Sequence, residues 1–140
     1  MSTEEKKNSQ ISLDSETLSP STEKEVSEIV REIYSKKLPI EITGTGTKKV
    51  FGYNLQTAKK LSLSQLSGII DYQKEELYIK VKAGTPIDDI EKILEENNQE
   101  LAFEPIDFGY MINGQTNKGT IGGYVAVSYT HLTLPTTVIV

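Results

Sequence analysis

Two alternating glycines follow a short apolar run, and this feature limits most strongly how the chain can fold. The run Leu38–Ile42 has the composition of a short strand and leads into Gly44–Lys48, which reads Gly-Thr-Gly-Thr-Lys. Small residues in alternation predict a bare backbone loop whose successive N–H groups can point at an anion. On spacing alone such a segment is more often a tight turn than a ligand site, so both interpretations stay open at this point.

The loop lacks the features of the common nucleotide-binding motifs. No Gly-Lys-Ser/Thr closes it, as a Walker loop requires, and the third glycine of a dinucleotide fingerprint is missing. Residues 49–60 show no helical period either. A phosphate site at a helix N-terminus of the usual nucleotide-binding type is therefore not predicted here.

The composition excludes several classes of function. The 140 residues carry a net charge of −5 without a basic stripe, which argues against nucleic-acid binding. Cysteine is absent, so disulfides, thiolate metal sites and cysteine nucleophiles are excluded. No apolar run approaches the roughly 20 residues of a membrane helix, and the N-terminus lacks the apolar core of a signal peptide. We therefore expect a cytoplasmic domain.

The first part of the chain predicts a tail, a helix and four strands. Met1–Leu18 has too few apolar residues to offset its chain entropy, so we predict a disordered tail. Thr22 and Glu25 form a capping-box pattern that begins a helix over Glu23–Lys36, which has one apolar face. Strands are predicted over Pro39–Thr43, Leu61–Ser64, Ile69–Tyr72 and Leu77–Ala83.

A second helix is predicted from Thr85-Pro86. Thr85 is the expected N-cap, and Pro86 suits the first helical position, where its missing N–H has no cost. An apolar stripe follows, and Asn97 marks the end of this helix. Ile106–Lys118 shows no clear period and is predicted to be a loop that leads to Gly119–Gly123.

The last segment differs in character from the rest. Val127–Val140 resembles a translated adapter sequence from DNA-library preparation, and the alternative is a short β-prone strand. We expect this segment to be non-native. In that case His131, the only histidine, has no functional role, and the natural protein continues differently after Ala126.

The order of the motifs between about Ser21 and Ala126 resembles a known family, and we place the corresponding domain at residues 19–126. The Gly-Thr loop, Leu66–Tyr72, the strand that ends at Gly84, Phe103–Pro105 and Gly119–Gly123 follow one another as in the FAD-binding domain of the vanillyl-alcohol-oxidase and p-cresol-methylhydroxylase family. Within it, the series is most similar to the FAD-binding subunits of glycolate oxidases. The resemblance implies an α+β fold: a first subdomain with a small parallel sheet flanked by helices, cut off before an antiparallel second subdomain.

The resemblance also implies a cofactor and the residues that bind it. Backbone amides of the first loop would hold the pyrophosphate of FAD together with the second loop, and Pro105 would lie near the isoalloxazine. The family's basic residue before the first glycine is Thr43 here, which makes Lys48 the candidate source of positive charge. The implied cofactor-binding residues are Gly44, Thr45, Gly46, Thr47, Lys48, Pro105, Gly119, Thr120, Ile121, Gly122 and Gly123.

The implied activity is the oxidation of a 2-hydroxy acid to a 2-oxo acid, with electrons passing to FAD. The implied partners are a second flavoprotein subunit and an iron–sulfur subunit, through which the protein could lie peripherally at the inner membrane. Two alternatives stay open: another FAD-linked oxidase or dehydrogenase of the family, and a non-catalytic assembly module. We expect the chain alone to be inactive and to hold FAD weakly.

No residue of this sequence is predicted to be catalytic. Glu104 and Asp107 could form a carboxylate pair, but solvated loop residues are the simpler interpretation. Asp88 and Asp89 suit a helix start, and with Asp71 they form no cluster that predicts a metal site. In a flavoprotein the cofactor supplies the difficult chemistry, and the protein supplies binding and orientation.

Overall fold

A computed structural model describes Leu13 and residues 15–50, 56–57 and 59–126. The predicted non-native segment Val127–Val140 and most of the predicted tail lie outside these residues. The elements are, in order, β1 Thr17–Leu18, α1 Glu23–Ser35, β2 Ile40–Thr43, β3 Lys59–Ser62, β4 Ile69–Gln73, a 3-10 turn Lys74–Glu76, β5 Tyr78–Val81, α2 Ile87–Glu95, α3 Phe108–Asn113 and α4 Ile121–Ala126.

A three-stranded parallel sheet forms the first half of the fold. The strand order is β1-β3-β2, with Ile42 opposite Leu61. Leu61 packs under α1 in a buried cluster with Ile29 and Ile33. The α+β class with a small parallel sheet flanked by helices is thus confirmed.

The end of the predicted tail is ordered, which corrects the prediction of disorder up to Leu18. Thr17 and Leu18 form β1, which pairs with Lys60 and Leu61 of β3. Leu18 is only 5% exposed, and Leu13 joins the same cluster. The prediction failed because the few apolar side chains of this segment cannot form a core by themselves. Leu13 and Leu18 instead enter a core that α1 and β3 also form.

Helix α1 begins as predicted. The Thr22 hydroxyl accepts a hydrogen bond from the Glu25 amide at 3.2 Å, and the Glu25 carboxylate accepts from the Thr22 amide at 3.3 Å. This capping box satisfies amides that have no partner within the helix. The helix ends at Ser35, one residue before the predicted end, and Lys36 is its C-cap.

The second half of the fold is an antiparallel pair covered by helices. Strands β4 and β5 pair in antiparallel register, with Tyr72 opposite Ile79. Side chains from β5, α2 and α4 form the other buried cluster: Val81, Ile87, Ile90, Leu94, Ile121 and Tyr124. Among the residues described here, no helix is long and apolar enough to cross a membrane.

Thr85 is not the N-cap of α2, contrary to the prediction. Pro86 is the N-cap, with an extended ψ of 141°, so the helix begins at Ile87. The Thr85 side chain is 1% exposed, and its hydroxyl donates to the Lys82 carbonyl at 2.6 Å and accepts from the Gly68 amide at 3.0 Å. Thr85 therefore joins the end of β5 to the turn before β4.

The segment Ile106–Lys118 contains a helix, which corrects the prediction of a loop. Asp107 caps α3 by accepting a hydrogen bond from the Tyr110 amide at 2.8 Å, and Gly114 ends it with a φ of 73°. Six residues span fewer than two helical turns, so no apolar period develops. The capping residues alone marked this helix in the sequence.

We predict that the Thr85 hydroxyl stabilises the native state. The Thr85→Val variant keeps the shape of the side chain but leaves the Gly68 amide without its acceptor, which should lower the free energy of unfolding by about 1–3 kcal/mol. The Thr85→Ser variant keeps the hydroxyl and serves as the control in chemical denaturation. A Val variant as stable as the Ser variant would contradict this role.

Candidate functional site

Two loops that are distant in sequence form the walls of one cleft. The first loop, Gly44–Lys48, follows β2, and the second loop, Gly119–Gly123, runs into α4. The cleft has a volume of about 280 Å³ and is lined by Glu41, Ile42, Thr43, Gly44, Thr45, Gly46, Thr47, Lys48, Lys49, Lys118, Gly119, Thr120, Gly123 and Tyr124. The structure therefore brings together most of the residues predicted for phosphate binding.

The second loop is held by backbone hydrogen bonds to the segment between β5 and α2. The Ile87 amide donates to the Gly119 carbonyl and the Ile121 amide donates to the Thr85 carbonyl, both at 3.0 Å. The Gly122 amide donates to the Ala83 carbonyl at 2.9 Å. The amides of Ile121 and Gly122 thus already have acceptors within the protein and fix the position of the loop.

The two loops approach so closely that glycine is needed where they meet. A Cβ atom on Gly44 would lie 2.5 Å from the Thr120 Oγ1 atom. Gly119 has a φ of 85°, and a Cβ atom there would lie 3.1 Å from the Thr47 Oγ1 atom. A larger residue at either position would push the walls of the cleft apart.

The amides of the first loop are the unusual feature of this site. Within the described part of the chain, none of the five amides from Gly44 to Lys48 donates a hydrogen bond to a protein acceptor. Only the next amide, that of Lys49, does so, to the Gly46 carbonyl at 3.2 Å. Backbone donors in proteins are almost always paired with protein or water, so five successive donors beside a cleft form a site suited to an anion.

Lys48 joins the first loop to the two last helices. Its Nζ donates to the Gly123 carbonyl at 3.2 Å and lies 4.7 Å from the centre of the Tyr124 ring and 5.4 Å from that of Phe108. These are cation–π distances. Burial lowers the pKa of the Lys48 ammonium.

Two further lysines, Lys49 and Lys118, line the cleft, and no sequence motif indicated them. Lys118 forms an ion pair with Glu91 at 2.5 Å, and Lys49 forms one with Glu41 at 3.7 Å. The hydrogen bond that the Lys118 ammonium donates to Glu91 raises the pKa of Lys118. Neither lysine belongs to a motif, and only the position of Lys118 beside Gly119 could have indicated it.

Pro105 lies in a different cleft from the two loops. That cleft has a volume of about 420 Å³ and contains four carboxylates; its lining residues are Glu91, Glu95, Gln99, Glu100, Leu101, Phe103, Glu104 and Pro105. The Tyr124 hydroxyl donates to the Ile106 carbonyl at 2.5 Å, and its ring lies 5.8 Å from that of Phe103. These contacts connect the Pro105 segment to α4, close to the cleft between the two loops.

Comparison with known proteins agrees with this geometry. The sequence model of a family described as FAD binding domain matches residues 16–133. The chain belongs to this FAD-binding family. FAD is therefore its cofactor.

One curated relative is the glycolate oxidase subunit GlcE of Escherichia coli (strain K12). It is 34% identical to the chain over 99 residues, which cover 71% of the chain and 26% of the relative. The chain thus spans about a quarter of the length of this relative. This relative is a glycolate oxidase subunit, and the order of the sequence motifs also resembles such subunits.

The first loop fits the diphosphate of FAD. A diphosphate requires several converging donors at hydrogen-bond distance, and backbone amides without side-chain obstruction supply them. The glycines at the contact between the loops keep the cleft free of side chains at this point. Lysine side chains on both walls add positive charge.

The pKa values of two carboxylates outside the cleft, Asp107 and Asp88, are shifted by their surroundings in the fold. Asp107 accepts hydrogen bonds from the amides of Tyr110 and Asn117, which lower its pKa. Burial raises the pKa of Asp88. Among the described residues, no three His, Cys, Asp or Glu side chains are grouped so that they could hold a metal ion.

We predict that acid loosens the segment 107–117 through Asp107. The folded-state pKa of Asp107 lies below its ordinary value of 3.8. The ionised carboxylate therefore stabilises the fold above about pH 4, and this contribution is lost as the pH falls through the folded-state value. The protection of the Tyr110 and Asn117 amides from hydrogen exchange, relative to the intrinsic rate at each pH, should fall in that range.

The Asp107→Asn variant is the control for this pH effect. Its side-chain oxygen can still accept from both amides but does not titrate in this range. Exchange at the two amides should then lose its acid-dependent step. An identical pH profile in the variant would show that another group is responsible.

Proposed function

We propose that this chain is the cofactor-binding part of an FAD-dependent oxidoreductase subunit, with the diphosphate of FAD held by the first loop. One observation carries the proposal: five successive amides with no acceptor among the described residues line the cleft between the two loops, whose walls meet at glycine. We call it the phosphate cleft. A loop that served only as a turn would be expected to use most of its amides internally.

The predicted site residues take three different roles in this proposal. Amides of Gly44, Thr45, Gly46, Thr47 and Lys48 bind the phosphate oxygens, joined by that of Thr120, which likewise has no acceptor in the described part of the chain. Gly119, Ile121, Gly122 and Gly123 shape and fix the opposite wall. The Lys48 ammonium holds the loop against α4, through Gly123 and Tyr124.

The isoalloxazine would extend toward the Pro105 cleft. Phe103 and Ile106, on either side of Pro105, both contact Tyr124, which also lines the phosphate cleft. A cofactor anchored by its diphosphate between the loops could therefore extend along Tyr124 toward Pro105. Bound FAD supplies the chemistry by accepting two electrons from a substrate, and this chain binds and orients it.

The proposed reaction is oxidation of a 2-hydroxy acid to a 2-oxo acid. Support comes from the similarity to a subunit of glycolate oxidase and from the motif order. The alternative within the family is another FAD-linked oxidase or dehydrogenase with a different alcohol or hydroxy-acid substrate. The name of the relative as a subunit supports partner subunits, for which we propose a second flavoprotein and an iron–sulfur protein. A cytoplasmic location, peripheral to a membrane through these partners, belongs to the same proposal.

The proposed domain division places the FAD-binding part at residues 19–126 and a non-native segment at 127–140. The family match ends at residue 133, within that segment. The genomic sequence that follows the codon for Ala126 tests this division directly. A continuous native reading frame through Val140 would overturn it.

We predict that negative charge at Gly46 weakens binding of the diphosphate. Gly46 has a φ of 76°, and a Cβ atom there would meet only the Lys49 side chain, at 3.4 Å. The variants Gly46→Asn and Gly46→Asp have the same shape and differ in charge. The Asp variant should bind ADP, which carries the same diphosphate as FAD, at least about tenfold more weakly than the Asn variant.

Gly114→Asp is the matched control for backbone strain. Gly114 has a φ of 73°, and a Cβ atom there would meet no atom within 4 Å. Its affinity for ADP, measured by NMR titration of the labelled chain, should equal that of the unmodified protein. Equal affinities of the two Gly46 variants would show that the diphosphate does not lie against the first loop.

A further inference from the structure

Three lysines line the phosphate cleft, but only one of them combines a fixed position with access to an anion. The three are Lys48, Lys49 and Lys118. Lys48 is engaged by the Gly123 carbonyl and by two rings. An ammonium held in this way braces the loop rather than meeting the ligand.

Lys49 is poorly placed to neutralise a bound anion. Its side chain is 51% exposed, and its ion pair with Glu41 is 3.7 Å long. Water and salt screen such a pair strongly, and exposed pairs of this kind contribute little. The charge of Lys49 therefore adds only a diffuse contribution to the cleft.

Lys118 is better shielded from solvent than Lys49, and its ion pair is shorter. Its side chain is 26% exposed, and its ammonium lies 2.5 Å from the Glu91 carboxylate, which is similarly shielded. Lys118 directly precedes Gly119, where the backbone crosses close to Thr47 of the first loop. Lys118 thus belongs to the wall of the cleft opposite the first loop, and Glu91 fixes its side chain.

Glu91 lies on α2 and links Lys118, which lines the phosphate cleft, to the acidic cleft that contains Pro105. Its carboxylate accepts a hydrogen bond from the Lys118 ammonium, and it lines the acidic cleft. Asp88 and Asp107 also act electrostatically on Lys118. A diphosphate would enter surroundings rich in carboxylates, and the Lys118 charge is the one that offsets them next to the first loop.

We propose that Lys118 is the residue that neutralises the diphosphate, and that Glu91 positions its ammonium while competing with the phosphate for it. The proposal rests on the proposed function and adds the source of positive charge at that site. It also accounts for Thr43 at the position where the family resemblance implies a basic residue: the charge comes from the opposite wall instead.

The proposal predicts opposite effects at the two members of the ion pair. The Lys118→Gln variant removes the cation and should weaken ADP binding about fivefold to tenfold. The Glu91→Gln variant keeps an oxygen that can accept from Lys118 but removes the competing charge, so ADP binding should tighten about twofold to fivefold. The gain from Glu91→Gln should be lost when Lys118 is also Gln.

The experiment is an NMR titration of the labelled 140-residue chain with ADP at low salt, which also measures weak affinities. The Lys118→Arg variant keeps the charge and should bind within about twofold of the unmodified chain. Lys49→Gln makes the same charge change on the same cleft and should alter the affinity less than about twofold. In high salt the difference between the unmodified chain and Lys118→Gln should shrink, because ions screen the attraction. A purely structural role of Lys118 would not produce this salt dependence.

The outcomes separate the proposal from the function on which it rests. The role of Lys118 would be overturned if the unmodified chain and Lys118→Gln bound ADP equally well while Gly46→Asp still bound it more weakly. That result would still support diphosphate binding by the first loop. Weaker binding by Glu91→Gln would overturn the competition. If Lys49→Gln weakened ADP binding as much as Lys118→Gln, the effect would come from the change in net charge and not from the position of Lys118. Absence of any ADP-dependent shift at Gly44–Lys48 would overturn both proposals.

Discussion

The close contact between Gly44 and Thr120 is the constraint on which the rest of the site depends. It leaves no space for a side chain at residue 44 and places two loops, 75 residues apart in sequence, on either side of one cleft. Hydrogen bonds from Ile87, Ile121 and Gly122 hold the second loop in place. The first loop follows directly from β2, whose pairing with β3 fixes where the loop begins. The pairing of β2, the hydrogen bonds of the second loop and the contact between the loops thus together form the cleft.

The electrostatics of the chain differ from what its net charge suggests. An acidic protein with a charge of −5 would repel a diphosphate at long range, yet the cleft has donors and cations on both walls. The amides carry partial charge at fixed positions and need little reorganisation to meet a phosphate. The ion pair with Glu91 keeps Lys118 ordered beside the cleft. For the binding of an anion, the positions of the amides and lysines at the cleft therefore matter more than the net charge of the chain.

Much of the fold could be predicted from the sequence, because the relevant signals are local. The capping box at Thr22, the strand before Gly44 and the apolar stripe of α2 each lie within a few residues. Signals spread over long distances were missed: Leu18 is buried only because β3 pairs with its strand, and α3 is too short to show a period. For the site, glycine spacing alone left the first loop open between a turn and a ligand site, and the family resemblance implied both loops. The ion pair between Lys118 and Glu91 joins distant segments and leaves no pattern in the sequence.

A crystal structure of the chain with bound ADP would show where the diphosphate binds. We expect phosphate oxygens within hydrogen-bond distance, about 2.7–3.2 Å, of several amides between Gly44 and Lys48. The amides of Ile121 and Gly122 should keep their acceptors in Thr85 and Ala83. A diphosphate bound elsewhere, or first-loop amides that donate to carbonyls of the protein, would show that the first loop is not the diphosphate site.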